Sequence, residues 1–107
     1  MQVDSALAAF LSSPVMIIVG TADHRGRPAM GGAVGCRAAP GAERLDLILC
    51  ARHWPKTIAN IEATARAAVT FSRPADYETF QLKGVATLRE AEPEDLALAD
   101  RYMTGIS

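Results

Sequence analysis

The residues best suited to bind a ligand lie near the middle of the chain, in the run Arg52-His53-Trp54-Pro55-Lys56-Thr57. Proline is favoured at the first position of a helix, so Pro55 predicts a helix that begins there, with Trp54 at the cap position. A tryptophan side chain has no oxygen to accept the backbone N–H groups of the first turn. Those donors, flanked by the cations Arg52 and Lys56 and by the Thr57 hydroxyl, predict a site for a phosphate or a carboxylate.

Each of these features also has a simpler interpretation. Water can satisfy the first turn, and both cations can be merely solvated.

Gln81 and Lys83 share the polar face of a predicted strand, which is either solvated or lines a cleft where Gln81 could bond the edge of a heterocycle. Three glycines interrupt another strand, and they either let a flat ligand lie against the backbone or form bulges that bend the sheet: Gly31, Gly32 and Gly35.

Other reactive side chains do not form a recognisable catalytic or metal-binding pattern. His24 and His53 lack the companion thiols or carboxylates of a metal site. Cys36 and Cys50 fall outside any CxxC pattern, so we expect buried free thiols in a reducing compartment rather than a disulfide or a metal pair. An acidic stretch near the C-terminal end is expected to be a solvated helix start: Glu90, Glu92, Glu94 and Asp95.

Length and composition limit the class of protein. The 107 residues fit one domain spanning residues 1–107. With 11 basic and 12 acidic residues, the chain lacks the basic excess of a nucleic-acid-binding module. Its apolar runs are too short to span a bilayer and its first residues do not form a secretory signal, so we expect a cytoplasmic protein. Much of the apolar fraction is alanine, and a partner subunit is expected to supply part of the missing burial.

Hydrophobic periodicity predicts three helices and five strands. The helices cover residues 3–13, residues 55–65, and a segment from Pro93 to about Gly105. Asp4 is predicted to cap the first of them. The stripe on the second helix consists of Trp54, Ile58, Ile61 and Ala65. Short turns between consecutive strands imply an antiparallel sheet, and about five strands around a small core favour a barrel. The strands are predicted over residues 15–21, 29–38, 44–51, 67–72 and 79–89.

This arrangement resembles the pyridoxamine 5′-phosphate oxidase-like, FMN-binding split-barrel family. The similarity covers nearly the whole chain, and it is a pattern of strands and turns. The segments that carry it are Phe10-Leu11-Ser12-Ser13-Pro14, Met16-Ile17-Ile18-Val19-Gly20-Thr21, Asp23-His24-Arg25-Gly26-Arg27-Pro28, residues 51–62, Ala68-Val69-Thr70-Phe71-Ser72 and Phe80-Gln81-Leu82-Lys83-Gly84-Val85-Ala86.

The resemblance implies a mainly β fold with flanking helices, an antiparallel split β-barrel that forms a homodimer with FMN between the subunits. In such proteins basic and hydroxyl side chains at the start of the helix after the third strand hold the flavin phosphate. Here that position contains Arg52, Lys56 and Thr57. A polar side chain of a later strand often contacts the ring system, which nominates Gln81.

The chain also departs from the pyridoxamine phosphate oxidases themselves. Glycines 31 and 32 stand where those enzymes have a phosphate-binding arginine, and only Arg37 lies near the position of their following lysine. The C-terminal segment that carries their substrate-binding residues is also expected to be missing, since the sequence ends at Ser107. We therefore expect a flavin-dependent oxidoreductase that passes electrons between a reduced nicotinamide and a small acceptor, and that does not oxidise vitamin B6. The alternative is a non-catalytic module on the same barrel that holds haem or another flavin-like cofactor.

Overall fold

The fold is an open antiparallel sheet with helices packed around it. A computed structural model describes residues 5–11, 15–38, 41 and 43–106, of which residues 103–106 are described by their backbone alone. The predicted Asp4 cap of the first helix lies outside the described residues. In chain order the elements are α1 (Ser5–Leu11), β1 (Met16–Ala22), β2 (Pro28–Arg37), β3 (Asp46–Leu49), α2 (Pro55–Thr64), β4 (Arg66–Ser72), β5 (Thr79–Val85) and α3 (Pro93–Ile106).

The five strands form one sheet in the order β3-β2-β1-β4-β5. Every neighbouring pair is antiparallel, as the short connections predicted. The sheet does not close on itself, so β3 and β5 are its two edges. The architecture is mainly β with flanking helices and is consistent with the predicted split barrel, whose strands need not complete a ring.

Strand register divides the sheet into a core face and an open face. Residues directly opposite each other on neighbouring strands share a face. The core face carries the row Ala33, Ile17, Phe71 and Phe80, which runs across four strands. The open face carries the next row, Gly32, Ile18, Thr70 and Gln81.

The hydrophobic core lies on the core face and includes Phe10 and Leu11 of α1. Phe71 and Val15 are completely buried, and Val19 is nearly so. Phe10 of α1 meets Phe80 of β5 in an edge-to-face contact with ring centroids 4.9 Å apart. This geometry suits the aromatic quadrupoles and ties α1 to the far edge of the sheet.

The buried face of α2 differs from the predicted apolar stripe. Thr57, Asn60 and Ile61 are buried, whereas Ala65 is exposed and Ile58 is only half-buried. Asn60 Nδ2 donates to Thr21 Oγ1 of β1 at 3.1 Å. Hydrogen bonding to the sheet compensates for burying this amide, so a polar residue replaces part of the expected apolar face.

Two predicted strands prove shorter in the structure. β5 ends at Val85, because Val85 pairs with Arg66, the first residue of β4, and the ladder has no partner beyond it. The Ala86 N–H instead donates to the Ala65 carbonyl at 2.9 Å. β3 is confined to four residues and pairs only with the second half of β2, from Ala33 onward.

The acidic start of α3 is not fully solvated, contrary to the prediction from the sequence. Glu90, Glu92 and Glu94 are exposed as expected, but Asp95 is only 2% exposed. Its carboxylate accepts hydrogen bonds from Arg37 of β2, from Arg89 Nη1 at 2.8 Å and from the Glu92 N–H at 2.8 Å. The pKa of Asp95 is held well below its ordinary value of 3.8 by Arg89 first, then by the Glu92 N–H, with Arg37 contributing. Asp95 therefore fastens α3 to the sheet.

Candidate functional site

The start of α2 has the geometry that the sequence predicted. The helix begins at Pro55, with Trp54 at the cap position and no side-chain hydrogen bond to the first turn. The first intrahelical bond runs from the Ile58 N–H to the Trp54 carbonyl, at 3.2 Å. The N–H groups of Lys56 and Thr57 precede that ladder, and they lie where the positive end of the helix dipole favours an anion.

Two cations stand beside these donors without a carboxylate partner. Arg52 and Lys56 are exposed, and within the described part of the chain neither forms an ion pair. No described acidic side chain therefore neutralises the positive charge at this helix start. Unpaired cations beside a helix start are an arrangement with which proteins bind phosphate or carboxylate.

Thr57 lies deeper than a simple surface site requires. The residue is 1% exposed, and its hydroxyl oxygen is buried without a hydrogen-bond partner among the described residues. Leaving a buried hydroxyl unpaired costs about 1–3 kcal/mol, so such groups usually find an acceptor. This orphaned donor fits a phosphate oxygen that reaches the helix start, although surrounding side chains close the hydroxyl off from solvent.

Two glycines of β2 make room for neighbouring elements, Gly31 for the start of α2 and Gly35 for β3 and α3. An ideal Cβ on Gly31 would lie 2.8 Å from Thr57 Oγ1 and 3.3 Å from Trp54 Cγ. A Cβ on Gly35 would lie 3.0 Å from Ile48 Cδ1 and 3.5 Å from Leu98 Cγ. The sequence left open whether a ligand lies against the backbone at these glycines. In the structure the chain's own side chains lie there. The register shift between Ala33 and Cys36 includes Gly35, so the bulge that the sequence allowed occurs at this glycine, whereas Gly31 and Gly32 pair with β1 in regular register.

An open apolar groove adjoins the helix start on the sheet's open face. Its volume is about 390 Å³. Two of its walls, Met16 and Met30, are 51% and 65% exposed, which is unusual for large apolar side chains on neighbouring strands. Trp54 belongs both to this groove and to the cap of α2, so the groove and the anion-binding features are contiguous. The side chains and glycine that line it include Met16, Ile18, Met30, Gly32, Trp54 and Tyr102.

Gln81 lies apart from the other three predicted site residues. Its exposed side chain donates to Thr70 Oγ1 at 3.3 Å on the open face of the sheet. Gln81 lies in the same row of the sheet as Gly32, three strand spacings from it, which is a distance of about 14 Å. Arg52, Lys56 and Thr57 therefore share the start of α2, with Thr57 on the core-face side of β2, whereas Gln81 lies on the open face.

The Cys36 thiol is poorly suited to act as a nucleophile. Both cysteines are free, with Cys36 buried and Cys50 half-buried. Burial raises the pKa of the Cys36 thiol to about 12, and the nearby charge of Asp46 adds to the shift. Among the described residues no group of three potential metal ligands occurs, and no helix is long and apolar enough to cross a membrane.

The groove residues are the functional candidates that sequence reasoning missed. Met16 and Ile18 were predicted only as parts of a strand that is apolar on both faces, and Tyr102 was not singled out. An apolar second face on β1, next to a glycine pair on β2, was the available signal. The position of Tyr102 depends on how α3 docks, which the sequence does not encode locally.

Comparison with known proteins gives a single result. No curated protein and no solved structure matches the chain. A family model described as pyridoxamine 5′-phosphate oxidase matches residues 3–106, which is nearly the entire sequence. With the open five-stranded sheet and the helix start that follows its third strand, this match shows that the chain belongs to the pyridoxamine 5′-phosphate oxidase-like family.

Proposed function

We propose that the chain binds FMN, with the flavin phosphate at the start of α2, and that it acts as an oxidoreductase. Its family is one of FMN-binding, oxidoreductase-like proteins. The observation that carries the proposal is the start of α2, where the Thr57 hydroxyl is buried without a hydrogen-bond partner among the described residues and the neighbouring cations Arg52 and Lys56 have no described ion-pair partner. These residues offer charge and hydrogen-bond donors of the kind that a phosphate monoester requires.

Each residue at the helix start has a distinct role in this proposal. Arg52 and Lys56 neutralise the phosphate, and their exposure leaves both side chains free to turn toward it. The N–H groups of the first turn donate to its oxygens. Thr57 donates the hydroxyl hydrogen bond that it lacks within the described chain.

The ring system is proposed to lie on the apolar groove of the open face. Met16 and Met30 supply exposed apolar surface there, which an aromatic ring would cover. Gln81 is proposed to bond a polar edge of the ring from the far side of the same face. When bound, the flavin would supply the redox chemistry, accepting a hydride from a reduced nicotinamide and passing electrons to a small acceptor.

A homodimer is proposed to complete the site. The open face and the β5 edge expose large apolar side chains, including Met30, Phe80 and Val85. An exposed edge strand and apolar patches of this kind favour a protein partner. A second copy of the chain would cover this surface and leave the groove as a cleft between subunits.

Oxidation of pyridoxamine phosphate itself is not part of the proposal. At Gly31 even a Cβ would come within 2.8 Å of Thr57 Oγ1, so the larger side chain of an arginine cannot be added without rearrangement. The phosphate-binding arginine of those enzymes therefore has no ready equivalent at this position. Binding must rely on the helix start.

The absorbance spectrum of the purified, untreated protein tests the proposal first. Bands of oxidised flavin would support it, as would a rise in melting temperature on adding FMN to protein purified without cofactor. The absence of both flavin bands and stabilisation at excess FMN would refute it. A Soret band that disappears in His53→Ala would instead favour the haem-binding alternative.

A further inference from the structure

The indole of Trp54 passes around a free edge of the sheet. Neighbouring residues of a strand face opposite ways, so the Cβ positions of Gly31 and Gly32 point to the core face and the open face. Trp54 Cγ lies 3.3 Å from the first of these positions, and Trp54 Cζ2 lies 3.5 Å from the second. The ring therefore starts on the α2 side of β2 and ends on the groove side.

This edge is available because β3 is short. β3 pairs with β2 only from Ala33 onward, which leaves Gly31 and Gly32 without a neighbour on that side among the described strands. Trp54 fills the space that a longer β3 would occupy. The two glycines let the ring lie directly against the backbone.

The two halves of the proposed ligand site meet at the same edge. Thr57 and the α2 start lie on the core-face side of Gly31, and the groove lies on the other side. A ligand with an anionic tail and a flat ring must pass this edge to occupy both halves. Trp54 stands in that passage, and Thr57, which is 1% exposed and whose hydroxyl has no partner in the described part of the chain, lies on the inner side.

We propose that Trp54 is a gate between the groove and the anion site. In the free protein it closes the edge of β2, and it swings outward when a phosphorylated flat ligand binds. Its movement opens the path by which a phosphate oxygen reaches the Thr57 hydroxyl. This inference rests on the proposed function, since the ligand used to test it is FMN.

Trp54 can be observed selectively because it is the only tryptophan in the chain. We would incorporate 5-fluorotryptophan and measure the ¹⁹F shift difference between H₂O and D₂O, which increases with exposure of the indole to solvent. The ring is 37% exposed in the free protein, so exposure can change in either direction. The gate predicts greater exposure when FMN is bound. Reduced or unchanged exposure would refute it and would make Trp54 a fixed wall of the site.

Association kinetics of FMN with Trp54→Ala give a second test. Removing a gate that must open before binding should speed association at least about threefold, because more of the protein is then competent to bind. Removing a wall that stacks on the ligand should leave association no faster and speed dissociation. Leu96→Ala, which removes an exposed apolar side chain of α3, is the matched control and should associate like the unaltered chain.

Thr57→Val tests what lies behind the gate. The variant keeps the side-chain shape and removes the hydroxyl, so FMN should bind at least about fivefold more weakly while riboflavin is unaffected. Equal weakening of both ligands, or none, would contradict the path to Thr57. If FMN binds neither the unaltered chain nor Trp54→Ala, the proposed function fails; if FMN binds without movement of Trp54, only the gate fails.

Discussion

Replacing Gly31 by alanine tests the packing on which the candidate site depends. The added Cβ would lie 2.8 Å from Thr57 Oγ1, 3.3 Å from Trp54 Cγ and 3.4 Å from Thr57 Cβ. Thr57 is buried against β2 and cannot turn away freely, so α2 must shift or the helix start must repack. Overpacking of this kind costs about 1–3 kcal/mol.

An opposing term comes from the unfolded chain. Alanine restricts the unfolded backbone more than glycine does, which stabilises the folded state by about 0.4–1 kcal/mol where the native conformation tolerates it. The net expectation for Gly31→Ala is a loss of about 1–2 kcal/mol in the free energy of unfolding. For a domain of this size the melting temperature should fall by at least about 5 °C.

Two matched variants isolate the steric cause. Gly84 in β5 has nothing within 4 Å of its Cβ position, and Gly32 meets its nearest neighbour at 3.5 Å, an ordinary contact. Gly84→Ala and Gly32→Ala should therefore change stability by less than about 1 kcal/mol. Urea unfolding followed by far-UV circular dichroism measures all three variants.

A double-mutant cycle identifies the clashing atom. Thr57→Ala removes the hydroxyl oxygen nearest to the new Cβ, so Gly31→Ala should cost less in that background. A coupling of at least about 0.5 kcal/mol is expected. If Gly31→Ala is as stable as Gly84→Ala, the close approach of α2 to β2, and with it the present account of the site, is wrong.

Three further predictions concern charge and hydrogen bonding. Arg52→Ala and Lys56→Ala should each weaken FMN binding by about 1.5–3 kcal/mol in isothermal titration calorimetry, whereas Arg25→Ala in the β1–β2 turn should have little effect. Gln81→Ala should weaken FMN and riboflavin alike, by about 0.5–1.5 kcal/mol, if its amide bonds the ring; a change in FMN alone would remove that role. Asp95→Asn should lower the urea midpoint at neutral pH and flatten its acid dependence. Because the pKa of Asp95 is depressed in the folded protein, its carboxylate adds stability at pH values above its ordinary pKa of 3.8. That stability is lost as the pH falls through the lower folded-state pKa. A parallel acid dependence in the two proteins would contradict this assignment.

The start of α2 was predictable because its signals are local. Proline at the first helical position and tryptophan at the cap act within two residues, and the structure shows both. The strand over residues 67–72 was likewise predicted from its local pattern, and the structure has β4 over Arg66–Ser72 with Val69 and Phe71 buried. Local patterning of this kind survives because it agrees with the final fold.

Features set by distant partners could not be predicted in the same way. Asp95 looked like a solvated acid; its partners Arg89 and the Glu92 N–H are close in sequence, but Arg37, which ties it to β2, is 58 residues away. The end of β5 depends on where β4 begins. The course of the Trp54 indole depends on β3 stopping short of Gly32, which no pattern around Trp54 indicates.

The chemical shifts of the Lys56 and Thr57 amides test the central claim most directly. In ¹H–¹⁵N spectra of the protein purified without cofactor, both resonances should move on titration with FMN and should stay in place with riboflavin. Inorganic phosphate should move them in the same direction at higher concentration. If FMN saturates the protein and both amides remain unperturbed, the flavin phosphate does not bind at the start of α2.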